Sequence, residues 1–264
     1  MAKGVGITLS DVAITFDSHC VVDGANLDIA EGEFICLLGP SGCGKSTLLN
    51  VIAGFVPATG AIKAGGKPVK GPGVDRGIVF QSSEALFPWL SVRENVEYGP
   101  RVRGVPAAKR KASALEYLAM VGLSHAADKF PAQLSGGMRQ RAQIARVLAN
   151  EPSVILMDEP FGALDAQTRE ILQREVARIW RATGTTIVFV THDISEAVIL
   201  ADRVVTMTAG PQAKIKNIVS VDIAHPRDLS SPRAIELQNI LREDISAEVG
   251  RTLKAQGLIS ENAA

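Results

Sequence analysis

The sequence predicts an α/β protein in which a parallel sheet carries an inserted helical lobe. Short alternating segments punctuated by Gly and Asp fill roughly the first eighty residues, which indicates strands. Helical patterns follow, and the continuous apolar run SVILMD at residues 153–158 then indicates a strand buried on both faces of a parallel sheet. Strands on either side of an all-helical stretch are typical of an α/β core with a helical lobe.

The composition fits one sizeable domain, or one domain with a small appendage. The chain has 264 residues, of which 46% are apolar, enough for a buried core. Its 28 basic and 28 acidic side chains cancel, so no broad positive field favours nucleic acid as a partner. The cysteines, Cys20, Cys36 and Cys43, are odd in number and lack metal-ligand spacing, which favours a reducing compartment such as the cytoplasm.

Neither the start of the chain nor any later segment predicts a membrane span. The first residues, MAKGVGITLSDVAITFD, lack the apolar core of a signal peptide, and no stretch approaches about 20 uncharged apolar residues. The most apolar segment, TTIVFVTHDISEAVILADRVV, is interrupted by His192, Asp193 and Glu196. We therefore expect a buried strand followed by a helix there.

Local signals predict where several helices begin. Ser91 and Glu94 have the spacing of a capping box, and Asp165 is placed to cap a helix over residues 166–184. Another helix is predicted for PAAKRKASALEYLAMVG at residues 106–122, which runs from an early Pro to a terminal Gly. Its apolar residues at helical spacing are Leu115, Leu118 and Val121.

The stretch CLLGPSGCGKSTLLNVIAG at residues 36–54 predicts a loop that holds a nucleoside triphosphate. It fits G-x-x-x-x-G-K-[ST], follows the apolar strand FICLL and opens a helix. Its glycines let backbone N–H groups turn toward phosphate oxygens. Lys45 would reach the β and γ phosphates, and the Ser46 hydroxyl would bind Mg²⁺. An ordinary Gly-rich turn with a solvated Lys is the alternative. The nucleotide-binding loop comprises Gly39, Pro40, Ser41, Gly42, Cys43, Gly44, Lys45, Ser46 and Thr47.

A second strand, VILMDE, ends in two acids. Asp158 at the strand end is expected beside the metal, and Glu159 could polarise a water for in-line attack on the γ-phosphorus. Two adjacent acids at a strand end could otherwise be a solvated exit with a helix cap, and taken alone the two interpretations are equal.

The segment LSGGMRQRAQIARVLANEP at residues 134–152 lies between these two elements. Ser135 could cap a helix whose first turn contains Gly136 and Gly137. Glycine there costs ~1 kcal/mol per residue unless something must approach the backbone closely. A second anion site is the natural interpretation, and a loose helix start is the alternative.

On these motifs the sequence resembles the ATP-binding cassette (ABC) ATPases, over roughly residues 5–225. The resemblance implies a P-loop NTPase (RecA-like) core with an N-terminal antiparallel β subdomain and an inserted helical signature subdomain. It also implies that LSGG binds the γ-phosphate of ATP held by the opposite subunit. Because this chain has one set of each motif, a homodimer with two ATP molecules at its interface is expected.

The resemblance assigns further residues one by one. Phe16 matches the aromatic residue that stacks on adenine, with a core Phe as the alternative. Gln81 matches the glutamine that touches Mg²⁺ and the attacking water, and His192 the switch histidine at the γ-phosphate. Asp165, which ends GALD, matches a loop that crosses the dimer interface, although helix capping also explains it.

The signature departs from the family's common pattern at Met138, where Gln is usual. Because the anion-binding part is Ser and the two Gly, binding is expected to survive. Met here, together with QSSEALFPWLSVRENVEYGPRVRG, resembles the importer subgroup for nitrate, taurine and aliphatic sulfonates. Large apolar groups in a loop need a core or a partner. Leu86, Phe87 and Trp89 are therefore expected to dock a membrane subunit, or else to pin the helical lobe to the core.

The expected protein is the ATP-hydrolysing subunit of an ABC importer. It would lie at the cytoplasmic face of the inner membrane, bound to two membrane-spanning permease subunits and indirectly to an extracytoplasmic solute-binding protein. A non-transport ABC ATPase of translation or DNA repair is the alternative, although the second cassette or long coiled coil typical of those proteins is missing. The expected domains are an ATPase domain over residues 5–230, with its helical subdomain at about 88–150, and a helical tail over 231–264.

Overall fold

The computed structural model describes residues 3–81, 85–162 and 164–255. The chain separates into two compact units. We call the unit built from Val5–Pro72 and the chain from Thr186 onward the phosphate-loop unit, and the unit built mainly from Gly73–Thr185 the signature unit. The domain boundaries expected from the sequence stay a prediction, and residues 256–264 of the expected tail lie outside the described residues.

In its described residues the phosphate-loop unit contains an antiparallel sheet, strands of a mainly parallel sheet and three α-helices. In chain order its elements are β1 (Ile7–Phe16), β2 (His19–Ile29), β3 (Phe34–Leu38), α1 (Lys45–Ala53), β4 (Thr59–Ala64), β5 (Lys67–Pro68), β8 (Thr186–Thr191), α6 (Ile194–Leu200), β9 (Arg203–Met207), β10 (Ile215–Ser220) and α7 (Pro232–Ala255).

The antiparallel sheet has the strand order β2-β1-β4-β5, so the expected N-terminal antiparallel β structure is confirmed. One face of β1 supplies the interior with four almost fully buried side chains: Ile7, Leu9, Val12 and Ile14. Alternation of buried and exposed residues is what a strand with one solvated face requires.

The second set of strands runs in the order β10-β9-β3-β8 within this unit. β3 pairs in parallel with both β8 and β9, and β10 is antiparallel to β9. All five residues of β3 and all six of β8 are buried, as expected for parallel strands covered on both faces. The aromatic rings of Phe34 and Phe189 pack with their centroids 5.7 Å apart between the two strands.

Among the residues that the structure describes, the signature unit contains a parallel strand pair and four α-helices. Its elements are β6 (Arg76–Val79), α2 (Val92–Val102), α3 (Ala107–Met120), α4 (Gly136–Leu148), β7 (Val154–Asp158) and α5 (Ala166–Thr183). β6 and β7 pair in parallel, and every residue of β7 is buried, which confirms the strand predicted from SVILMD. Helices α2, α3 and α4 pack on one another, and α4 packs on β6.

The predicted helix caps are confirmed. Ser91 and Glu94 form a reciprocal capping box at the start of α2. Ser135 and Asp165 accept backbone N–H groups at the starts of α4 and α5. One predicted apolar stripe is partly wrong, because Leu115 of α3 is 40% exposed. The buried stripe instead contains Ala114, Tyr117, Leu118 and Val121.

Helix α7 packs against α6 and β9 inside the phosphate-loop unit. Its interior residues include Ala234, Leu237 and Leu241, each no more than 1% exposed. In residues 3–81, 85–162 and 164–255, every helix is too short or too polar to traverse a lipid bilayer.

Candidate nucleotide-binding site

The loop between β3 and α1 has the backbone conformation that anion binding requires. Gly42 and Gly44 have φ values of +78° and +88°, in the left-handed region that favours glycine. Gly44 is the N-cap of α1, and within the described residues no side chain caps this helix. The dipole of α1 favours a negative charge at this end of the helix, which is where the phosphate-loop pattern predicts an anion.

Gly44 is also required by its surroundings. A Cβ atom at this position would stand 2.8 Å from Val22 Cγ2 and 3.0 Å from Val21 Cγ1, both on β2. Close packing and the positive φ angle therefore both exclude a side chain here. β2 thus fixes the point where the loop turns into α1.

Lys45 is buried, at 6% exposure, and its ammonium lies inside the loop. Lys45 Nζ donates hydrogen bonds to Gly39 O and Pro40 O, each at 2.8 Å, and lies 3.7 Å from Cys43 Sγ. Burial raises the pKa of Cys43 although the Lys45 charge opposes it, so this thiol stays neutral at physiological pH. The lysine is therefore the charged group of the loop, held by backbone oxygens.

Ser46 and Thr47 occupy the first turn of α1 and are both half-buried. Asn50 Nδ2 donates to Ser46 O at 2.9 Å, which ties this turn to the next one. The two hydroxyl-bearing residues therefore sit on a fixed backbone directly after the lysine, as the phosphate-loop pattern predicts.

His192 leaves the sheet beside the phosphate loop. In the parallel register Leu38 pairs with Thr191, so Gly39 and His192 follow at the same edge of two neighbouring strands. His192 is exposed. Phe16, at the end of β1, is 46% exposed, which contradicts the alternative that it is a core residue.

The signature unit brings Gln81 and Glu159 together. Gln81 Nε2 donates a hydrogen bond to Glu159 Oε2 at 3.1 Å. Val79 pairs with Met157 in the parallel register, so each side chain lies two residues beyond a paired position. Glu159 has a φ of +42°, and such strain in a non-glycine residue clusters at functional sites.

The oxygen donors predicted to hold a metal have the chemistry that Mg²⁺ prefers. Asp158 is 9% exposed at the carboxyl end of β7, and Gln81 supplies an amide oxygen; Ser46 adds a hydroxyl in the phosphate-loop unit. Within the described residues, no cluster of three His, Cys, Asp or Glu side chains could bind a metal alone.

The two glycines of the signature differ in their surroundings. A Cβ on Gly137 would lie 2.9 Å from Leu164 Cδ2, so close packing within the signature unit requires that glycine. A Cβ on Gly136 would have only Arg139 Nη2 nearby, at 4.0 Å, so the backbone there is open to a ligand. Ser135 is exposed, and its Oγ accepts a hydrogen bond from Met138 N at 3.3 Å.

Asp165 is exposed, and its Oδ1 accepts a hydrogen bond from Thr168 N at 3.0 Å. This bond lowers the pKa of Asp165, so the carboxylate stays ionised at neutral pH. The capping explanation is therefore supported by the structure.

Sequence reasoning missed two groups that hold these candidates in place. The first is Asp193, whose Oδ1 caps α6 by accepting from Ser195 N and Glu196 N at 2.7 and 3.3 Å. On the other side of His192, Thr191 Oγ1 donates to Glu196 Oε2 at 2.6 Å. The turn that contains His192 is therefore fixed on both sides. The D-x-x-E spacing is a capping signal that could have revealed it.

The second missed residue is Asn95, which is fully buried. Its Nδ2 donates to the carbonyl oxygens of Phe87, Leu90 and Ser91, and its Oδ1 accepts from Phe87 N at 2.8 Å. It therefore shapes the loop that carries Phe87 and Trp89. A buried polar residue on a helix gives no sequence signal that distinguishes this role from a solvated one.

The candidate residues fall into two groups. The phosphate-loop unit holds Phe16, residues 39–47 and His192, and the signature unit holds Gln81, Ser135, Gly136, Gly137, Asp158, Glu159 and Asp165. A glycine-rich loop between a buried parallel strand and a helix, with a buried lysine inside it, defines a P-loop nucleoside triphosphatase.

Comparison with known proteins gives the family. The family model described as ABC transporter matches residues 22–162. MJ0412 of Methanocaldococcus jannaschii, an uncharacterized ABC transporter ATP-binding protein, is 49% identical over 88% of this chain and 87% of its own. The bicarbonate transport ATP-binding protein CmpD of Synechocystis is 48% identical, over 84% of this chain and 80% of its own.

A solved structure agrees with this result. The ATP-binding cassette MJ0796, a dimer bound to ADP and Pi in a post-hydrolysis state, has a TM-score of 0.74 and 33% sequence identity. The alignment covers 83% of this chain and all of MJ0796. The chain therefore belongs to the ABC transporter ATP-binding family, and it is an ATP-binding ATPase of that class.

Lys45→Ala tests the phosphate loop. The substitution removes the buried ammonium, whose stabilisation of phosphate charge we expect to be worth several kcal/mol. We expect ATP affinity to fall at least roughly tenfold and hydrolysis to be lost, measured by titration calorimetry and phosphate release. The control is Lys63→Ala, which removes an exposed lysine from the same unit. Wild-type turnover by Lys45→Ala would refute the assignment.

Proposed function

We propose that the chain is the ATP-hydrolysing subunit of an importer that takes up a small oxyanion through separate membrane-spanning subunits. The observation that carries the proposal is the identity of about half the residues with proteins named bicarbonate transport ATP-binding proteins. CmpD is 48% identical, and CmpC of Synechococcus elongatus is 51% identical over 80% of this chain and 32% of its own.

The oxyanion class unites the relatives and the sequence motifs. Bicarbonate, nitrate and the sulfonate groups of taurine and alkanesulfonates all carry negative charge on oxygen atoms. Met138 and the segment that begins at Gln81 resemble the nitrate, taurine and sulfonate subgroup. Residues 82–84 of that segment lie outside the described residues. The individual solute would be selected by the membrane subunits and an extracytoplasmic binding protein.

Solute-dependent ATPase activity tests the solute class. The chain would be reconstituted with its cognate membrane subunits, with the chain at the face that corresponds to the cytoplasm and the binding protein at the opposite face. Bicarbonate, nitrate, taurine and an alkanesulfonate would be compared with a neutral sugar and an amino acid. We expect stimulation by one oxyanion, and stimulation by the sugar or the amino acid alone would refute the class.

Within this proposal each candidate residue has a role. Phe16 stacks on adenine, the first turn of α1 and Lys45 bind the phosphates, and His192 contacts the γ-phosphate. Glu159 activates the attacking water, and Gln81 orients the Glu159 carboxylate and this water. Mg²⁺, bound by Ser46, Gln81 and Asp158, would supply charge stabilisation of the phosphate oxygens when present.

Glu159→Gln tests the general base. The amide keeps the shape of the side chain but cannot accept the proton of the attacking water. We expect ATP binding to persist and hydrolysis to fall by about 10²–10⁴-fold, with an ATP-bound dimer accumulating in gel filtration. Glu170→Gln, at an exposed carboxylate of the same unit, is the control. Unchanged hydrolysis by Glu159→Gln would exclude this residue as the base.

The signature is proposed to bind ATP held by a second copy. The open backbone at Gly136 and the exposed Ser135 support this proposal, as does the dimeric arrangement of MJ0796. Asp165 is exposed in the loop expected to cross the dimer interface.

Ser135→Arg tests this two-chain site. The large arginine side chain should prevent the signature from contacting ATP on the second copy and so block hydrolysis, while each chain's own phosphate loop still binds ATP. Mixing Ser135→Arg with Lys45→Ala chains would restore both halves at one of the two composite sites, so partial hydrolysis should return. Ser124→Arg, at another exposed serine of the same unit, is the control. Loss of ATP binding by Ser135→Arg alone would indicate a site built within one chain.

The loop before α2 is proposed to dock a cytoplasmic segment of a membrane subunit. Trp89 is 70% exposed. Phe87 packs against Trp89 and Tyr98 with the rings tilted and centroid distances of 5.5 and 4.6 Å, and Arg146 lies over its ring at 5.4 Å. A cleft of about 300 Å³ lies beside Phe87 in the signature unit. The prediction for Leu86 needs correction, because its side chain is buried at 4% exposure and pins the loop to the interior.

Trp89→Ala tests the docking surface. An exposed aromatic anchor often contributes on the order of 2 kcal/mol to a partner interface. We expect assembly with the membrane subunits to weaken and transport to uncouple, while the isolated chain keeps its ATPase activity and melting temperature. Val102→Ala, at another exposed apolar residue of the same unit, is the control. A markedly lower melting temperature, or unchanged assembly, would assign Trp89 to folding.

A further inference from the structure

The buried face of α7 changes from apolar to acidic along the helix. Its first half packs through Ala234, Leu237 and Leu241, but Asp244 and Glu248 take the same face further on. Glu248 is 0% exposed and Asp244 is half-buried. Because a buried carboxylate is costly unless it is paired and hydrogen-bonded, the partners of Glu248 show what this position does.

Glu248 is bound by three donors. Ala209 N donates to Oε2 at 3.0 Å, and Lys216 Nζ and Arg251 Nη1 lie 2.9 and 3.1 Å from Oε1. Burial raises the pKa of Glu248, but the hydrogen bonds from Ala209 and Lys216 and the charges of Lys216 and Arg251 outweigh it, so the net pKa is lowered. The side chain is therefore a carboxylate at neutral pH.

The Ala209 bond holds the tip of the β9–β10 connection, residues 209–211. Within the described residues, Glu248 is the one hydrogen-bond partner of this tip. The chain just beyond it is fixed to β2, where Gln212 N donates to Cys20 O at 3.0 Å and Ala213 N to Val21 O at 2.9 Å. The tip thus depends on α7 while its base depends on β2.

This tip lies directly against the phosphate loop. A Cβ placed on Gly210 would stand 3.1 Å from Gly42 O and 3.7 Å from Cys43 Cα. Just before the tip, Met207 O lies 3.4 Å from the corresponding position on Gly39. Displacement of the tip would therefore remove backbone support from the loop at Gly42 and Cys43.

We propose that Glu248 is a positioning residue for nucleotide binding: it holds residues 209–211 against the phosphate loop and so maintains the loop conformation that binds ATP. The proposal rests on the assignment of ATP to this loop. Glu248 acts through backbone and does not touch the nucleotide. It links the last helix of the chain to the nucleotide site.

If the acidic face of α7 served only to stabilise the fold, Asp244 and Glu248 should behave alike on substitution. Asp244 therefore allows a role in stability to be distinguished from a role in nucleotide binding. Asp244 lies one turn before Glu248 and accepts hydrogen bonds from Thr206 Oγ1 at 3.1 Å and Asn217 Nδ2 at 2.9 Å. Thr206 is held independently by its ladder pairing with Leu38. Asp244 therefore anchors α7 without reaching the tip.

The test compares Glu248→Gln with the matched control Asp244→Asn in the full-length chain. Equilibrium binding of ATP, KM, kcat and thermal unfolding would be measured for each. We expect Glu248→Gln to raise Kd and KM about fivefold, equivalent to roughly 1 kcal/mol, with little change in kcat. Asp244→Asn should lower the melting temperature and leave Kd and KM at wild-type values. Wild-type Kd in Glu248→Gln, or an equal increase in both variants, would overturn the proposal.

Gly210→Ala perturbs the contact between the tip and the phosphate loop without altering α7. The added methyl group would crowd Gly42 O, so we expect a higher Kd for ATP with an unchanged fold. This variant decides the question if Glu248→Gln does not fold, and a wild-type Kd would then overturn the proposal. Failure of the wild-type chain to bind ATP would instead refute the assignment of ATP to the phosphate loop.

Discussion

The candidate nucleotide site depends on the hydrogen bonds that hold the buried ammonium of Lys45 inside the phosphate loop. In the described residues its partners are the carbonyl oxygens of Gly39 and Pro40 rather than a carboxylate. A buried cation held by neutral dipoles keeps its full charge available for a bound anion, whereas an ion pair would already be neutralised. In the proposed nucleotide complex the loop must therefore keep its carbonyl groups turned toward Lys45 while its amide groups face the phosphates, and that conformation requires left-handed glycines.

Packing around the loop maintains this conformation. β2 closes against Gly44, and the end of β9 with the tip after it closes against Gly39 and Gly42. These neighbours are brought together by parallel pairing of β3 with β8 and β9 and by the anchoring of residues 212 and 213 on β2. The functional loop is short, but its geometry is determined by elements spread from the first strands to the last helix.

Structural features that depend on a single helix or strand could be predicted from the sequence. The capping residues Ser91, Ser135 and Asp165 act within four residues of their own helix, and the strand at residues 153–158 is recognisable from its apolar run. Features that depend on distant neighbours could not be predicted in this way. Leu115 has helical spacing but faces solvent, and the environment of Glu248 depends on a hairpin about forty residues earlier. The residue pattern of one helix does not specify which residues of another helix or strand pack against it.

The pair formed by Gln81 and Glu159 shows how a long-range register produces a local site. The two residues are far apart in sequence, but Val79 pairs with Met157, so both side chains leave the same edge of neighbouring strands. Glu159 then turns into the left-handed region, which costs a non-glycine residue roughly 1–3 kcal/mol. Gly162 N donates to Glu159 O at 3.2 Å and Gln81 binds the carboxylate, so the surrounding turn stabilises the strained residue. A carboxylate held in this way before substrate arrives would suit the general base that we propose Glu159 to be.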